Sequence, residues 1–236
     1  MGISLRTDVC NSLLIDGLMG FFITFEGIEG SGKTTQIALL AQSLTQSGQR
    51  VIQTREPGGC KIADHLRKIL LDPANADLVP TAELLLYAAA RAQHVAQVIA
   101  PALAAGAIVL CDRFTDATSA YQGAGRSLDR ELINQLNQIA AGDTHPELTI
   151  LIDLPAQIGL QRALDREAQE QTSSEGRFER EALAFHQRVR EAYLELARQN
   201  PQRFCVVDGS QSLSCLADTI WQHTTRAMAY RGPHDL

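Results

Sequence analysis

Lysine is almost missing: only Lys33, Lys61 and Lys68 occur among the 21 basic residues of a 236-residue chain. Arginine carries the rest of the positive charge. It suits bidentate recognition of phosphate, although genomic base composition produces the same bias. The formal net charge is −6, so the field of the whole molecule repels nucleic acid and anionic membranes, and neither is expected as a partner. An anionic ligand must then be captured by a local basic site. The five cysteines (Cys10, Cys60, Cys111, Cys205, Cys215) never fall at C-x-x-C spacing, which argues against a zinc site or a disulfide frame and for reduced thiols in the cytoplasm. No two histidines share a helix turn at metal-ligand spacing. No run approaches 18 apolar residues, and the start lacks the charged and apolar regions of a signal peptide. Residues 1–19 read as an N-terminal extension, with disorder and an alternative start at Met19 both left open.

What is present is the 45% apolar, 20% charged mixture of a globular protein large enough to bury a core. Apolar strand-like runs at 21–25, 51–54, 107–111, 148–152 and 204–207 alternate with helical patterns at 34–47, 61–71, 81–104 and 181–198. Pro101 is expected to kink or end the long third helix. Strands apolar throughout and separated by helices predict a parallel sheet covered on both faces, a three-layer α/β/α fold with about five strands. There are no internal repeats. Residues 165–177, rich in Glu, Gln and Ser, read as a polar, mobile surface loop.

Gly27-Ile28-Glu29-Gly30-Ser31-Gly32-Lys33-Thr34 fits G-x-x-x-x-G-K-[ST] and lies between a predicted strand and a predicted helix. The glycines let successive N–H groups turn inward on phosphate, and the following helix adds its positive dipole end. Lys33 reaches the β- and γ-phosphates, and the Thr34 hydroxyl suits Mg²⁺. This predicts ATP or a similar nucleotide. No N-K-x-D base-reading motif of a GTPase occurs. The third strand ends in Asp112-Arg113 instead of the Asp-Glu of motor ATPases. Asp112 still suits the Mg²⁺ water shell. Arg113 beside it points to a second phosphate-bearing molecule at the carboxyl end of the sheet.

Residues 20–228 resemble the thymidylate kinase family. The resemblance is carried, in order, by Phe25-Glu26-Gly27 through Thr35, by Arg55-Glu56-Pro57-Gly58-Gly59, by Tyr87-Ala88-Ala89-Ala90-Arg91, by Asp112-Arg113-Phe114 and by Ala120-Tyr121-Gln122-Gly123. Arg177-Phe178-Glu179 and Phe185-His186-Gln187-Arg188-Val189-Arg190 follow. It implies a P-loop kinase domain over 20–228 with a short tail at 229–236, a homodimer, and transfer of the γ-phosphate of ATP to dTMP with Mg²⁺. It also implies that Tyr87 stacks on the thymine and Arg91 donates to a thymine carbonyl. Thr118 and Gln122 border the base, Tyr121 faces the sugar, and Arg113 clamps the acceptor phosphate. Glu29 holds the sugar 3′-hydroxyl or a Mg²⁺ water, a role its cost beside phosphate supports physically. Arg55 and Glu56 are equally read as substrate contacts or as a structural ion pair, and Tyr87 has the alternative of a core tyrosine.

One version of the family carries a transition-state arginine directly after the acidic P-loop residue. Here that place is Gly30, so the resemblance implies lid arginines instead. Arg162, Arg166 and Arg177 lie in or beside the expected lid at 162–178, and Arg177 matches the motif best. This lid holds more Glu and Gln than is usual, Ala117 stands where Ser is common, and Cys60 where Thr is common. Two other readings stay open: a P-loop kinase for another small acceptor such as a different deoxynucleoside monophosphate, and a nucleotide-binding regulator without catalysis.

Overall fold

The computed structural model describes residues 20–170 and 176–230. The expected extension at 1–19, residues 171–175 of the expected lid and 231–236 of the tail lie outside the described residues. The five strands β1 (Phe21–Glu26), β2 (Val51–Arg55), β3 (Ile108–Asp112), β4 (Leu148–Asp153) and β5 (Phe204–Asp208) form one sheet in the order β2-β3-β1-β4-β5. Every neighbouring pair is parallel. The three-layer α/β/α arrangement is therefore as the sequence predicts.

β1 is buried along its whole length and shows why the sheet needs cover on both sides. Phe21, Ile23 and Phe25 pack against α1 (Lys33–Gln46) and α9 (Leu213–Tyr230) through Ile37, Leu40, Leu44, Leu216 and Ile220. Phe22 points the other way, onto Val95, Ile99, Phe114 and Ala141. Each such fully buried large apolar side chain contributes about 1.5–3 kcal/mol. Thr24 and Glu26 share the Phe22 face by the two-residue period of a strand. That face is covered by α3 (Pro80–His94), α6 (Arg130–Ala141) and α8 (Leu183–Gln199). α2 (Lys61–Leu71) packs on α3.

The strands run parallel, so their carboxyl ends fall on one edge. In register, Phe25 pairs with Asp112, Asp112 with Arg55, and Asp153 with Asp208. All five strands therefore end in a charged residue at the same edge: Glu26, Arg55, Asp112, Asp153 and Asp208.

Two sequence expectations are corrected. The helix predicted at 81–104 does not break at Pro101. It widens into a π turn at Val95–Ile99, just before the proline, and continues as α4 (Ala100–Ala104), so the irregularity falls ahead of Pro101 and does not end the helix there. The polar stretch from residue 165 is not a loop as far as residue 170, because α7 runs Ala156–Glu170. Its composition is polar but strongly helix-forming, and its buried stripe consists of small residues, Ala156, Gly159 and Ala163. Small residues give little apolar signal, so the helical period of α7 is faint in the sequence.

Candidate active site

The stripe of small residues sets the shape of the P-loop. Gly30 has φ +66°, and a Cβ there would lie 2.1 Å from the carbonyl oxygen of Gly159; a Cβ on Gly159 would lie 2.6 Å from the carbonyl oxygen of Glu29. α7 thus touches the loop backbone to backbone. No side chain fits at position 30, arginine included.

Lys33 opens α1 and folds back over the loop, its Nζ donating to the carbonyls of Gly27 (3.1 Å) and Ile28 (2.9 Å). Burial, with the Arg113 charge adding, pushes its ammonium down to about 8 against the pull of Asp112 and Glu29. Thr34 Oγ1 donates to Asp112 Oδ2 at 3.2 Å. Among the described residues no three His, Cys, Asp or Glu side chains form a metal cage. A hydroxyl beside a single carboxylate instead fits an ion that arrives with a polyphosphate and keeps most of its own waters.

Arg113 is the junction of the site. It has φ 71°, a left-handed backbone that costs a non-glycine residue about 1–2 kcal/mol. Strain of that kind collects where geometry matters. Its Nη1 donates to the Gly27 carbonyl (2.9 Å) and to the Tyr193 hydroxyl (3.1 Å), its Nη2 to Glu29 Oε1 (3.0 Å), and its guanidinium carbon lies 4.7 Å from the Tyr121 ring centroid. Nε and one Nη2 hydrogen have no hydrogen-bond partner among the described residues. Glu26 holds Arg113 indirectly: its carboxyl accepts from the Phe114 N–H (2.8 Å) and from the Tyr193 hydroxyl (2.7 Å). Burial, with Asp116 nearby, pushes that carboxyl well above the usual range.

Glu29 shows the opposite balance. Burial would raise its carboxyl, but Arg113, the His186 contact and Lys33 outweigh it and hold it well below the usual carboxylate range. Oε1 accepts from the Tyr121 hydroxyl at 2.6 Å as well as from Arg113. Oε2 lies 3.2 Å from His186 Nδ1, yet is buried without a hydrogen-bond partner among the described residues. Glu29 therefore stands as an ionised carboxylate inside the phosphate-binding loop, fixed by Arg113 and Tyr121.

The part of the site opposite the P-loop grows from α3. Tyr87 is half-buried there, and Arg91 sits one turn on, fully buried. Burial, with Glu83 adding, raises the Tyr87 phenol, so it stays neutral. Arg91 donates to Glu56 (2.8 Å), Asn137 (2.7 Å), the Phe114 carbonyl (3.0 Å) and Thr118 Oγ1 (2.9 Å). That leaves one Nη1 hydrogen for a ligand. The second Glu56 oxygen takes His94 Nδ1 at 3.0 Å, and His94 Nε2 meets Thr54 Oγ1 at 2.6 Å. The structural alternative therefore holds for Glu56, but its partners are Arg91 and His94. Arg55 is exposed and stands 3.9 Å from Asp64. The short α5 (Thr115–Thr118) runs into a π turn, Ser119–Gly125, which carries Tyr121 and Gln122, a device common at functional sites.

These groups line one cleft of about 1060 Å³. Of the residues predicted from sequence, the cleft gathers Glu29, Gly30, Gly32, Lys33, Thr34 and Thr35 from the P-loop. It also gathers Arg55, Tyr87, Arg91, Asp112, Arg113, Thr118, Tyr121, Gln122 and Arg166. Gly27, Ile28 and Ser31 form the loop behind it. Arg166 on α7 is exposed and 4.0 Å from Glu179, while Arg162 donates to the Gly209 carbonyl. Arg177 stands apart. It is buried, donates to the Leu70 carbonyl and to Glu83, and does not line the cleft. Glu26, Glu83, His94, His186 and Tyr193 join this network although the sequence does not mark them as site residues. For Glu26 a signal existed, a charged residue ending a strand that is apolar except for Thr24. For the helix residues, spacing alone carries none.

A P-loop on a parallel sheet, facing a basic pocket that shares its own acidic residue, defines a phosphotransferase acting on two phosphate-bearing molecules. The family model described as "Thymidylate kinase" matches residues 25–220. A thymidylate kinase of Geobacter sulfurreducens is 63% identical over 202 residues, covering 86% of this chain and 95% of its own. One of Syntrophotalea carbinolica is 58% identical over 214 residues, covering 91% and 99%. The crystal structure of a thymidylate kinase from Ehrlichia chaffeensis superposes with a TM-score of 0.70 at 35% identity, covering 87% of this chain and 98% of that one. The chain belongs to the thymidylate kinase family.

The Lys33 value fixes a pH dependence. Binding of a polyphosphate favours the charged amine, and the free enzyme loses that charge as pH rises through about 8. Affinity for ATP is then full below that pH and falls above it. Calorimetry in buffers of different ionisation heat should show uptake approaching about one proton per ATP bound by about pH 9. Uptake no greater than that seen with Lys33→Ala would contradict the assignment.

Proposed function

We propose that the protein transfers the γ-phosphate of ATP to dTMP, giving ADP and dTDP. The ion pair of Glu29 with Arg113 carries this reading, because it makes one residue of the donor loop part of the acceptor site. The acceptor phosphate would meet the free Nε and Nη2 hydrogens of Arg113, and the acceptor sugar hydroxyl would meet Glu29. Thymine would lie between Tyr87 and the remaining Nη1 hydrogen of Arg91, with Thr118 and Gln122 along its edge. Tyr121, fixed by Glu29, would stand where a ribose 2′-hydroxyl would need room. An oxygen of the acceptor phosphate then forms the new P–O bond as the bond between the γ-phosphorus and the β–γ bridging oxygen breaks. This reaction needs positioning and charge neutralisation more than a strong base. Lys33 neutralises the donor phosphates. Thr34 and Asp112 would hold Mg²⁺, which when bound neutralises charge on the β- and γ-oxygens. Arg166, exposed on α7 beside the cleft, is the cation we assign to the transferring phosphoryl in place of Arg177.

Across a panel of nucleoside monophosphates with Mg-ATP, dTMP should give the highest kcat/KM; preference for another monophosphate overturns the substrate assignment. Lys33→Ala should abolish transfer. Arg166→Ala should lower kcat about a hundredfold or more with little change in the KM for dTMP, and an unchanged kcat would remove Arg166 from the mechanism.

The family resemblance also implies a homodimer, and a surface suited to it exists. Ile62 and Ile69 of α2, Leu85 of α3, and Leu132 and Ile139 of α6 are large, apolar and exposed, with Ile139 at 77%. These helices belong to one layer, and exposed apolar area of this kind marks interfaces. Light scattering should give the mass of two chains, and Leu85→Glu with Ile139→Glu should give one. A wild-type monomer would contradict the dimer. The reduced cysteines and the reaction fit a cytoplasmic location, and among the described residues no helix is long and apolar enough to cross a membrane.

A further inference from the structure

Glu83 is a fully buried carboxylate to which none of the roles above is attached. It lies on α3, one helical turn before Tyr87 and on the same face. Its Oε1 accepts from Gln122 Nε2 at 2.7 Å, and its Oε2 accepts from Arg177 Nη2. Arg126 lies 3.4 Å from Oε2 and also reaches Glu181 at 2.6 Å. Two carboxylates therefore face two guanidiniums in a mostly buried cluster. That balance is what burial of charge requires, since either ion alone would be costly there.

Arg177 is bound on its other side by the end of α2. Its Nε donates to the Leu70 carbonyl and its backbone N–H to the Leu71 carbonyl at 3.3 Å. A cation on the last carbonyls of a helix is favourable in its own right. With Arg177 fixed at both ends, the next two residues have little freedom. Phe178 meets Tyr121 edge-to-face at 5.4 Å between ring centroids, and both Phe178 and Glu179 line the cleft.

We propose that Glu83 is a positioning residue: by binding Arg177 and Gln122 together, it docks Phe178 and Glu179 against the acceptor half of the cleft. Its effect reaches the substrate through other side chains and falls on the acceptor, not on the nucleotide donor. The expected consequence for substrate rests on the reading of the site as a dTMP kinase; the docking itself does not.

The experiment uses the full chain carrying Glu83→Gln, which keeps shape and loses charge, and separately Arg177→Gln. Hydrogen exchange of the amides at 176–182 reports docking whatever the substrate. It should quicken about tenfold or more in both variants, as loss of a charge-assisted hydrogen bond implies. The dTMP dissociation constant and KM should rise by about the same factor, while the ATP dissociation constant stays within about twofold. Unchanged exchange at 176–182 in both variants overturns the docking role. Faster exchange with dTMP and ATP weakened equally, or with neither weakened, also overturns the proposal, since it leaves Glu83 a merely structural residue. If Glu83→Gln does not fold, Arg177→Gln with the same three measurements decides. If the wild type fails to bind dTMP at all, the functional reading fails, and hydrogen exchange still tests the docking.

Discussion

The contact between Arg113 and Glu29 is the constraint on which the site depends. It ties the residue after β3 to the middle of the P-loop at 3.0 Å, and Arg113 makes it from a left-handed backbone. The P-loop and the proposed acceptor pocket are thereby brought within one side chain of each other. The strain is held by bonds from several directions: the Gly27 carbonyl, the Tyr193 hydroxyl and the Tyr121 ring on the side chain, and the Phe25 carbonyl on the backbone N–H. A residue so over-determined is preorganised, and preorganised charge is what a phosphoryl-transfer site supplies.

The chain is acidic overall, with a formal charge of −6, yet its cleft gathers Lys33, Arg55, Arg91, Arg113 and Arg166. Carboxylates make this possible. Glu56 neutralises Arg91 and Glu29 neutralises Arg113. The cleft therefore holds Arg91 and Arg113 in fixed geometry with donors to spare, instead of as a repelling pair. Buried pairs of this kind add little net stability. Their value lies in orientation.

Much of this was legible in the sequence where a residue's role depends on its neighbours along the chain. The P-loop is contiguous, and its glycines, lysine and threonine act on one another. The apolar strands announce a buried parallel sheet, and Asp112-Arg113 announces its own position at a strand end. The failures have a common cause. α7 hides in a polar stretch because its buried stripe is Ala and Gly, which pack by closeness and not by hydrophobic bulk. Arg177 looked like a cation free to act, but Glu83 lies 94 positions away along the chain, and nothing local to either residue records the pairing. The same holds for Tyr193, which reaches Glu26 across 167 positions. Gly30 was legible in part: the sequence shows that an arginine is absent there, and the carbonyl of Gly159 shows why none would fit.

A double-mutant cycle on Glu29 and Arg113 tests the central claim most directly, with kcat/KM for phosphoryl transfer from Mg-ATP to dTMP as the readout. If the two side chains act as one unit, Glu29→Gln combined with Arg113→Met should lose little more than the worse single variant, a shortfall from multiplicativity of about tenfold or more. Losses that simply multiply would mean the two residues act independently, and the account of a shared donor–acceptor junction would be wrong.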